Sequence, residues 1–208
     1  MVRQQRQNAR NQWARKHLEK YGFCPGEELG AGYHGTVFRY RPSQVIKLTD
    51  CWGEAFFFSW LLDTGWHPGF PQVERVKRVG SRKGSAAFAV IREDLPDLII
   101  PEPDLDRFHH AAESLFLGGR DTLGRSVDEL WSGSVSTARW ILSRSDRLPT
   151  LQPLFDDLMV SVRWAIDKGC RLSLLHQGNL GIRENKVVVR DLSGATPPVD
   201  WLKGRKIS

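Results

Sequence analysis

The chain has 208 residues, 40% of them hydrophobic and 26% charged, with a net charge of +6. That is enough polymer for one sizeable domain or two small lobes sharing a cleft, and the balance is that of a globular protein. No apolar run is long enough to cross a bilayer, and the polar N-terminus does not read as a signal peptide. Cys24, Cys51 and Cys170 are widely separated and lack zinc-ligand spacing, so a reducing, cytoplasmic setting is expected.

The charge is unevenly placed. Residues 1–20 carry Arg3, Arg6, Arg10, Arg15, Lys16 and Lys20 against Glu19 alone, which leaves the rest of the chain close to neutral. Residues 1–22 therefore read as a basic N-terminal arm, a polar helix with Trp13 as its one packing residue. Such an arm can touch nucleic acid or an acidic partner, although its commoner role is a solvated, solubilising one. Nothing else in the sequence supports nucleic-acid recognition.

After an entry turn at Pro25-Gly26 comes Leu29-Gly30-Ala31-Gly32-Tyr33-His34-Gly35-Thr36-Val37, with Val45-Ile46-Lys47 a short distance on. Glycines at G-x-G-x-x-G spacing let backbone N–H groups approach phosphate oxygens with no Cβ in the way. The same spacing opens dinucleotide-binding units, but those need a helix directly after the glycines. Here Thr36-Val37-Phe38-Arg39-Tyr40 is β-branched and aromatic, and Pro42-Ser43 makes a turn. The spacing thus predicts a hairpin whose returning strand carries Lys47. A glycine-rich hairpin that holds no ligand is the alternative.

Residues 53–63 are apolar almost all round and predict a buried helix with Glu54 near its start, seven residues after Lys47. A lone glutamate there can simply favour the helix N-terminus, or it can face the lysine. His67-Pro68-Gly69-Phe70-Pro71 is a turn-rich break, and 72–79 and 86–91 predict two further strands joined by a polar loop. Glu93-Asp94-Leu95-Pro96 reads as a hinge. Helices are predicted over 104–117, 135–143 and 151–168, the last capped by Gly169, with 118–134 rich in loop and holding room for a short helix. Two short strands then flank the turn Glu184-Asn185-Lys186. Asn179 stands before the first and Asp191 after the second, which places two oxygen donors at one end of a hairpin.

Taken in order, the glycine motif with Val37, then Lys47, Glu54, His67-Pro68-Gly69-Phe70-Pro71, a hinge at Glu93, His176-Gln177-Gly178-Asn179 and Asp191-Leu192-Ser193-Gly194 make the chain resemble the protein-kinase-like superfamily across residues 23–194. It is most similar to short bacteriophage-encoded kinase-like proteins and to aminoglycoside phosphotransferase-type kinases. The resemblance implies an α+β, two-lobed fold: an antiparallel-sheet lobe over 23–95, a minimal helical lobe over 96–208, and ATP between them. Gly30, Gly32, Gly35, Val37, Lys47 and Glu93 would bind the nucleotide. Lys47 would hold its α- and β-phosphates, Glu54 would orient Lys47, and Asn179 and Asp191 would hold Mg²⁺.

The pattern departs from the family in three places. Leu174 occupies the position of the catalytic-loop aspartate, Leu192-Ser193 replaces the phenylalanine-glycine pair after Asp191, and 195–208 leave no room for an activation segment. The implied activity is an ATP-dependent phosphotransferase acting on protein Ser/Thr hydroxyls, with a small molecule as the less favoured acceptor. Its alternatives are a pseudokinase that binds nucleotide and regulates a partner protein, or a protein that transfers AMP. The implied partner is a protein of the host or the bacterium, in the cytoplasm and away from membranes.

Overall fold

The computed structural model describes residues 2–32, 34–82, 84–102, 104–117, 127–170, 179–190 and 195–204. These fall into two compact units. One is drawn from Met1–Trp66, Pro71–Asp94 and Gly204–Ser208, the other from His67–Phe70 and Leu95–Lys203. The architecture is α+β, with an antiparallel sheet in the first unit and mostly helices in the second.

The first unit is built on a five-stranded sheet, β1 (Glu28–Ala31), β2 (Gly35–Arg41), β3 (Gln44–Thr49), β4 (Val73–Arg82) and β5 (Ser85–Glu93), in the order β1-β2-β3-β5-β4. Every pairing is antiparallel. Pro42 and Ser43 form the two-residue β2–β3 turn, with Ser43 at φ 62°. Strand alternation sorts the side chains by face. Phe38, Ile46, Leu48, Ala89 and Ile91 point to one side and pack with Phe23 and Val79.

That side is covered by α1 (Val2–Lys20). The basic arm of the sequence is therefore a helix packed on the sheet, and it buries more than Trp13. Ala14 and Leu18 are fully buried in the sheet's core, with Trp13 half-buried beside them. Arg15 donates to the carbonyls of Pro25 and Gly26, and His17 bonds the carbonyl of Val79. The other side receives α2 (Trp52–Thr64), whose Phe57, Phe58, Trp60 and Leu61 are buried.

The second unit holds α3 (Asp104–Leu117), α4 (Val127–Leu142), α5 (Leu148–Asp167), the hairpin β6 (Leu180–Arg183) and β7 (Lys186–Val189), and α6 (Val199–Gly204). In α3, Phe108, Ala111, Ala112 and Leu115 recur at helical spacing and are buried; Phe108 meets Phe155 of α5 edge-on at 6.1 Å. Helix α4 begins at Val127, well before the expected 135, because Leu130, Ser134, Ala138 and Leu142 continue one stripe back through residues that looked loop-like. Glu184 (φ 49°) and Asn185 (φ 65°) are both left-handed, the mark of a type I′ hairpin turn.

His67–Phe70, read in the sequence as a break, is a docked segment of this second unit. His67 stacks on Trp164 of α5 at 4.6 Å, Phe70 is fully buried, and the Val189 N–H donates to Gly69 O at 2.8 Å. A Cβ on Gly69 would collide with the side chain of Ser161, so only glycine fits there. Arg183 holds the segment further, donating to the carbonyls of Pro68 and Phe70.

Candidate functional site

The register of the first sheet sets Gly30 beside Val37, and Val37 beside Lys47. Cross-strand partners share a face, so Val37 and Lys47 look the same way. It is the face opposite the Phe38–Ile46–Leu48 row, and so the one that receives α2. Three of the residues picked out in the sequence thus form one row across three strands.

Lys47 Nζ lies 2.7 Å from Glu54 Oε1, and both side chains are buried, at 4% and 0% exposure. Glu54 sits in the first turn of α2, so the two-way reading of the sequence resolves: it does face the lysine. A buried ion pair recovers its desolvation cost only with good geometry and further hydrogen bonds. Glu54 has such a bond, because the Thr49 hydroxyl lies 2.9 Å from its Oε2.

At the tip of the β1–β2 hairpin, the Gly32 N–H donates to Gly35 O at 2.9 Å. Gly35 is required by packing, since a Cβ there would stand 2.5 Å from Leu48 O. Gly30 and Gly32 differ. A Cβ at either would meet nothing within 4 Å, and neither has a left-handed φ. With no Cβ at either, a ligand can approach the hairpin backbone there closely, although the Gly32 N–H is itself bonded within the tip. Tyr33 lies outside the described residues.

The hairpin is fastened by two residues that sequence reasoning missed. Asn11 of α1 donates from Nδ2 to Glu28 Oε1 at 2.5 Å and accepts from the Thr36 hydroxyl at 3.3 Å. Thr49, besides facing Glu54, lies 3.1 Å from His34 O, which also accepts the Asp50 N–H at 3.0 Å. The Cys51 N–H donates to the Thr49 hydroxyl. Burial pushes the Cys51 thiol above its usual range, against the opposing pull of nearby backbone N–H groups and Lys47. No local sequence signal marks Asn11, whose partners lie 17 and 25 residues away, or Thr49, which reaches back 15 residues to His34 as well as forward to Cys51 and Glu54.

Glu93 closes β5, and its Oε2 takes the Gln72 N–H at 3.1 Å while its own N–H donates to Gln72 O. In the second unit Asn179 is buried immediately before β6, and its carbonyl accepts the Arg190 N–H at 2.7 Å, closing the open end of the β6–β7 hairpin. Asp191, Leu174, His176-Gln177-Gly178 and Leu192-Ser193-Gly194 lie outside the described residues. Among the described residues no group of three or more His, Cys, Asp or Glu side chains could hold a metal, and no helix is long and apolar enough to cross a membrane.

No protein-family model matches the chain, and no curated protein sequence matches it. Among solved structures it is similar to the GDP complex of a point variant of aminoglycoside 2'-phosphotransferase-IIIa, at 13% identity and a TM-score of 0.41, over 91% of this chain and 73% of that one. It is also similar to ADP-bound aminoglycoside phosphotransferase APH(2'')-Ib, at 11% identity and a TM-score of 0.36, over 87% and 69%. A third is a thermostable variant of aminoglycoside phosphotransferase APH(4)-Ia in ternary complex with AMP-PNP and hygromycin B, at 12% and 0.40, over 87% and 71%.

Proposed function

We propose that this protein binds ATP and acts as a protein-kinase-like phosphotransferase on protein Ser/Thr hydroxyls. The observation that carries this reading is the buried Lys47–Glu54 pair in a row with Val37 and Gly30. A pure folding role would be met as well by an apolar pair of similar volume, so a charged pair in this place calls for a use. An ammonium held by a carboxylate beside a hairpin with no Cβ in the way at Gly30 and Gly32 suits the α- and β-phosphates of a nucleotide. The empty Cβ space at Gly30 and Gly32 supports the same reading, since packing does not account for glycine at either position.

Asn179 and Asp191 supply hard oxygens of the kind that Mg²⁺ takes, and in this reading they hold the ion that accompanies the triphosphate. Held there, Mg²⁺ would supply neutralisation of charge on the phosphates. The chain's own part is to place Lys47 through Glu54 and to present the hairpin backbone. Leu174 favours a second reading, a nucleotide-binding regulator of a partner protein, because leucine cannot accept the proton of an attacking hydroxyl. AMP transfer has no observation in its favour.

Calorimetric titration with Mg·ATP tests the shared premise. Wild type should bind, and nucleotide at ~100 times Kd should add roughly 2.7 kcal/mol to stability. Lys47→Ala should abolish both effects. Failure of a folded wild type to bind would overturn the proposal. Incubation with γ-labelled ATP then separates the two readings. Label reaching protein acceptors, and rising sharply in Leu174→Asp, supports the enzyme; binding with no transfer in either protein supports the regulator.

A further inference from the structure

Thr49 is 1% exposed and stands at the end of β3, two residues after Lys47 and therefore on the same face. Its hydroxyl has three polar groups within reach. These are the carboxylate of Glu54 on α2 at 2.9 Å, the carbonyl of His34 at the hairpin tip at 3.1 Å, and the Cys51 N–H at the start of α2, also at 3.1 Å. A threonine hydroxyl carries one proton, so it donates to one acceptor at a time while accepting from Cys51. The neighbouring β3 positions Val45, Ile46 and Leu48 are buried and apolar, and a valine at 49 would suit strand and core equally well. What valine would lack is the tie between the hairpin tip and the ion pair.

We propose that Thr49 is a positioning residue for the phosphates of the bound nucleotide. Its hydroxyl stands between the tip of the glycine hairpin and the Lys47–Glu54 pair and donates to one or the other, which keeps the two within hydrogen-bond reach of a shared group, so that the hairpin backbone and the lysine ammonium meet the same phosphate chain. This inference rests on the nucleotide reading above and adds a residue that reading does not need. The His34 carbonyl keeps its bond from the Asp50 N–H when Thr49 is changed, so the hairpin stays formed but its tip is held from one side only. Preorganisation of this kind shows in affinity for the part of the ligand that touches the hairpin, and not elsewhere.

The test is calorimetry on full-length wild type, Thr49→Val and Thr49→Ser with two ligands, Mg·ATP and adenosine. Thr49→Val keeps the β-branched shape and removes the proton. It should raise the Kd for Mg·ATP roughly tenfold while leaving the Kd for adenosine within about twofold, and Thr49→Ser should restore Mg·ATP binding to within about threefold. Equal Mg·ATP affinity in wild type and Thr49→Val overturns the proposal. So does an equal loss for both ligands, which would mark a purely structural bond. If Thr49→Val does not fold, Thr49→Cys, a weak donor of small volume, takes its place with the same expected outcome. Failure of both to fold, with Thr49→Ser folding normally, also assigns the hydroxyl to structure and overturns the proposal. A folded wild type that binds neither ligand removes the nucleotide reading itself, a result seen before any Thr49 variant is measured.

Discussion

In the first unit the β1–β2 hairpin has open Cβ space at Gly30 and Gly32, and polar side chains, Asn11 and Thr49, hold it at its base and tip. In the second unit the β6–β7 hairpin is covered along both edges. The Ile182 N–H donates to Pro96 O, the Val189 N–H donates to Gly69 O, and a two-residue turn closes the end. Both hairpins are short, antiparallel and carry residues picked out in the sequence. The covered one has its backbone groups answered by neighbouring backbone and is a structural support for Asn179. The open one is paired to β3 along its β2 edge, is tethered further by side chains, and leaves space over Gly30 and Gly32 for something that is not protein. A glycine motif alone does not make this distinction; what surrounds each hairpin does.

The largest effect expected comes from breaking the charged pair beneath the open hairpin. Lys47→Met takes the cation from beside a carboxylate that is 0% exposed, and should cost about 3–5 kcal/mol of stability in urea unfolding. Adding Glu54→Leu should recover most of that loss, since an apolar pair of similar volume is often as stable. The double variant should nevertheless fail to bind Mg·ATP, which separates the fold from the function. A loss below about 1 kcal/mol in Lys47→Met would mean that the pair is solvated in solution, against the burial described here.

The covered hairpin is attacked through its edge. Gly69→Ala drives a methyl group into Ser161 and should cost about 1–3 kcal/mol, the range for overpacking. Cys170 offers a local reading of the same event. Burial pushes its thiol up to about 12, so at pH 8 it stays protonated and reacts with a maleimide only when the second unit opens. Labelling of Cys170 should accelerate in Gly69→Ala. Unchanged labelling would show that the segment shifts to admit the methyl group without loosening its unit.

A smaller effect follows from His67. Burial lowers its pKa from 6.5, and its Nδ1 accepts the Gly69 N–H at 3.1 Å, so the folded state favours the neutral ring. The unfolded chain then binds the proton more readily. The stability contributed is complete above pH 6.5 and declines as the pH falls below it. Melting of the second unit should therefore drop between pH 7.5 and 5, and His67→Asn, which keeps an acceptor but does not titrate, should flatten that slope. An equal slope in the variant would place the acid sensitivity on other groups.

Much of the first unit was legible in the sequence because its signals are local. The β-branched run after Gly35, the Pro42-Ser43 turn and the apolar stretch behind Glu54 each declare an element within a dozen residues. The Lys47–Glu54 pair was visible as a spacing, though its alternative as a helix-terminus charge needed the structure to resolve. His67–Phe70 is the turn-rich break that its composition indicates, but its docking was not legible because its partners, Ser161, Trp164 and Val189, are about 90 to 120 residues away. The early start of α4 was hidden by Gly133 and several serines, which weaken helical propensity but lie where the packing of Ala138 and Leu142 carries the helix through. Thr49 and Asn11 were invisible for a related reason, since a lone hydroxyl or amide acquires meaning only from what the fold brings to it.

Asn11 gives the smallest expected effect and the sharpest test of how the open hairpin is held. If the basic helix were a solvated arm, no substitution on it would matter to the sheet. The structure places Asn11 between Glu28 of β1 and Thr36 of β2, with Ala14 and Leu18 buried on the same helix. Asn11→Ala should cost about 1–2 kcal/mol for the two hydrogen bonds lost, whereas Lys20→Ala at an exposed position should stay within about 0.5 kcal/mol. Amide hydrogen exchange at Thr36 and Val37 should quicken in Asn11→Ala and not in Lys20→Ala, because only the former loosens the β1–β2 pairing. Should both variants prove equally silent, α1 rests on the sheet through its apolar residues alone, and the base of the glycine hairpin is not tied from that side.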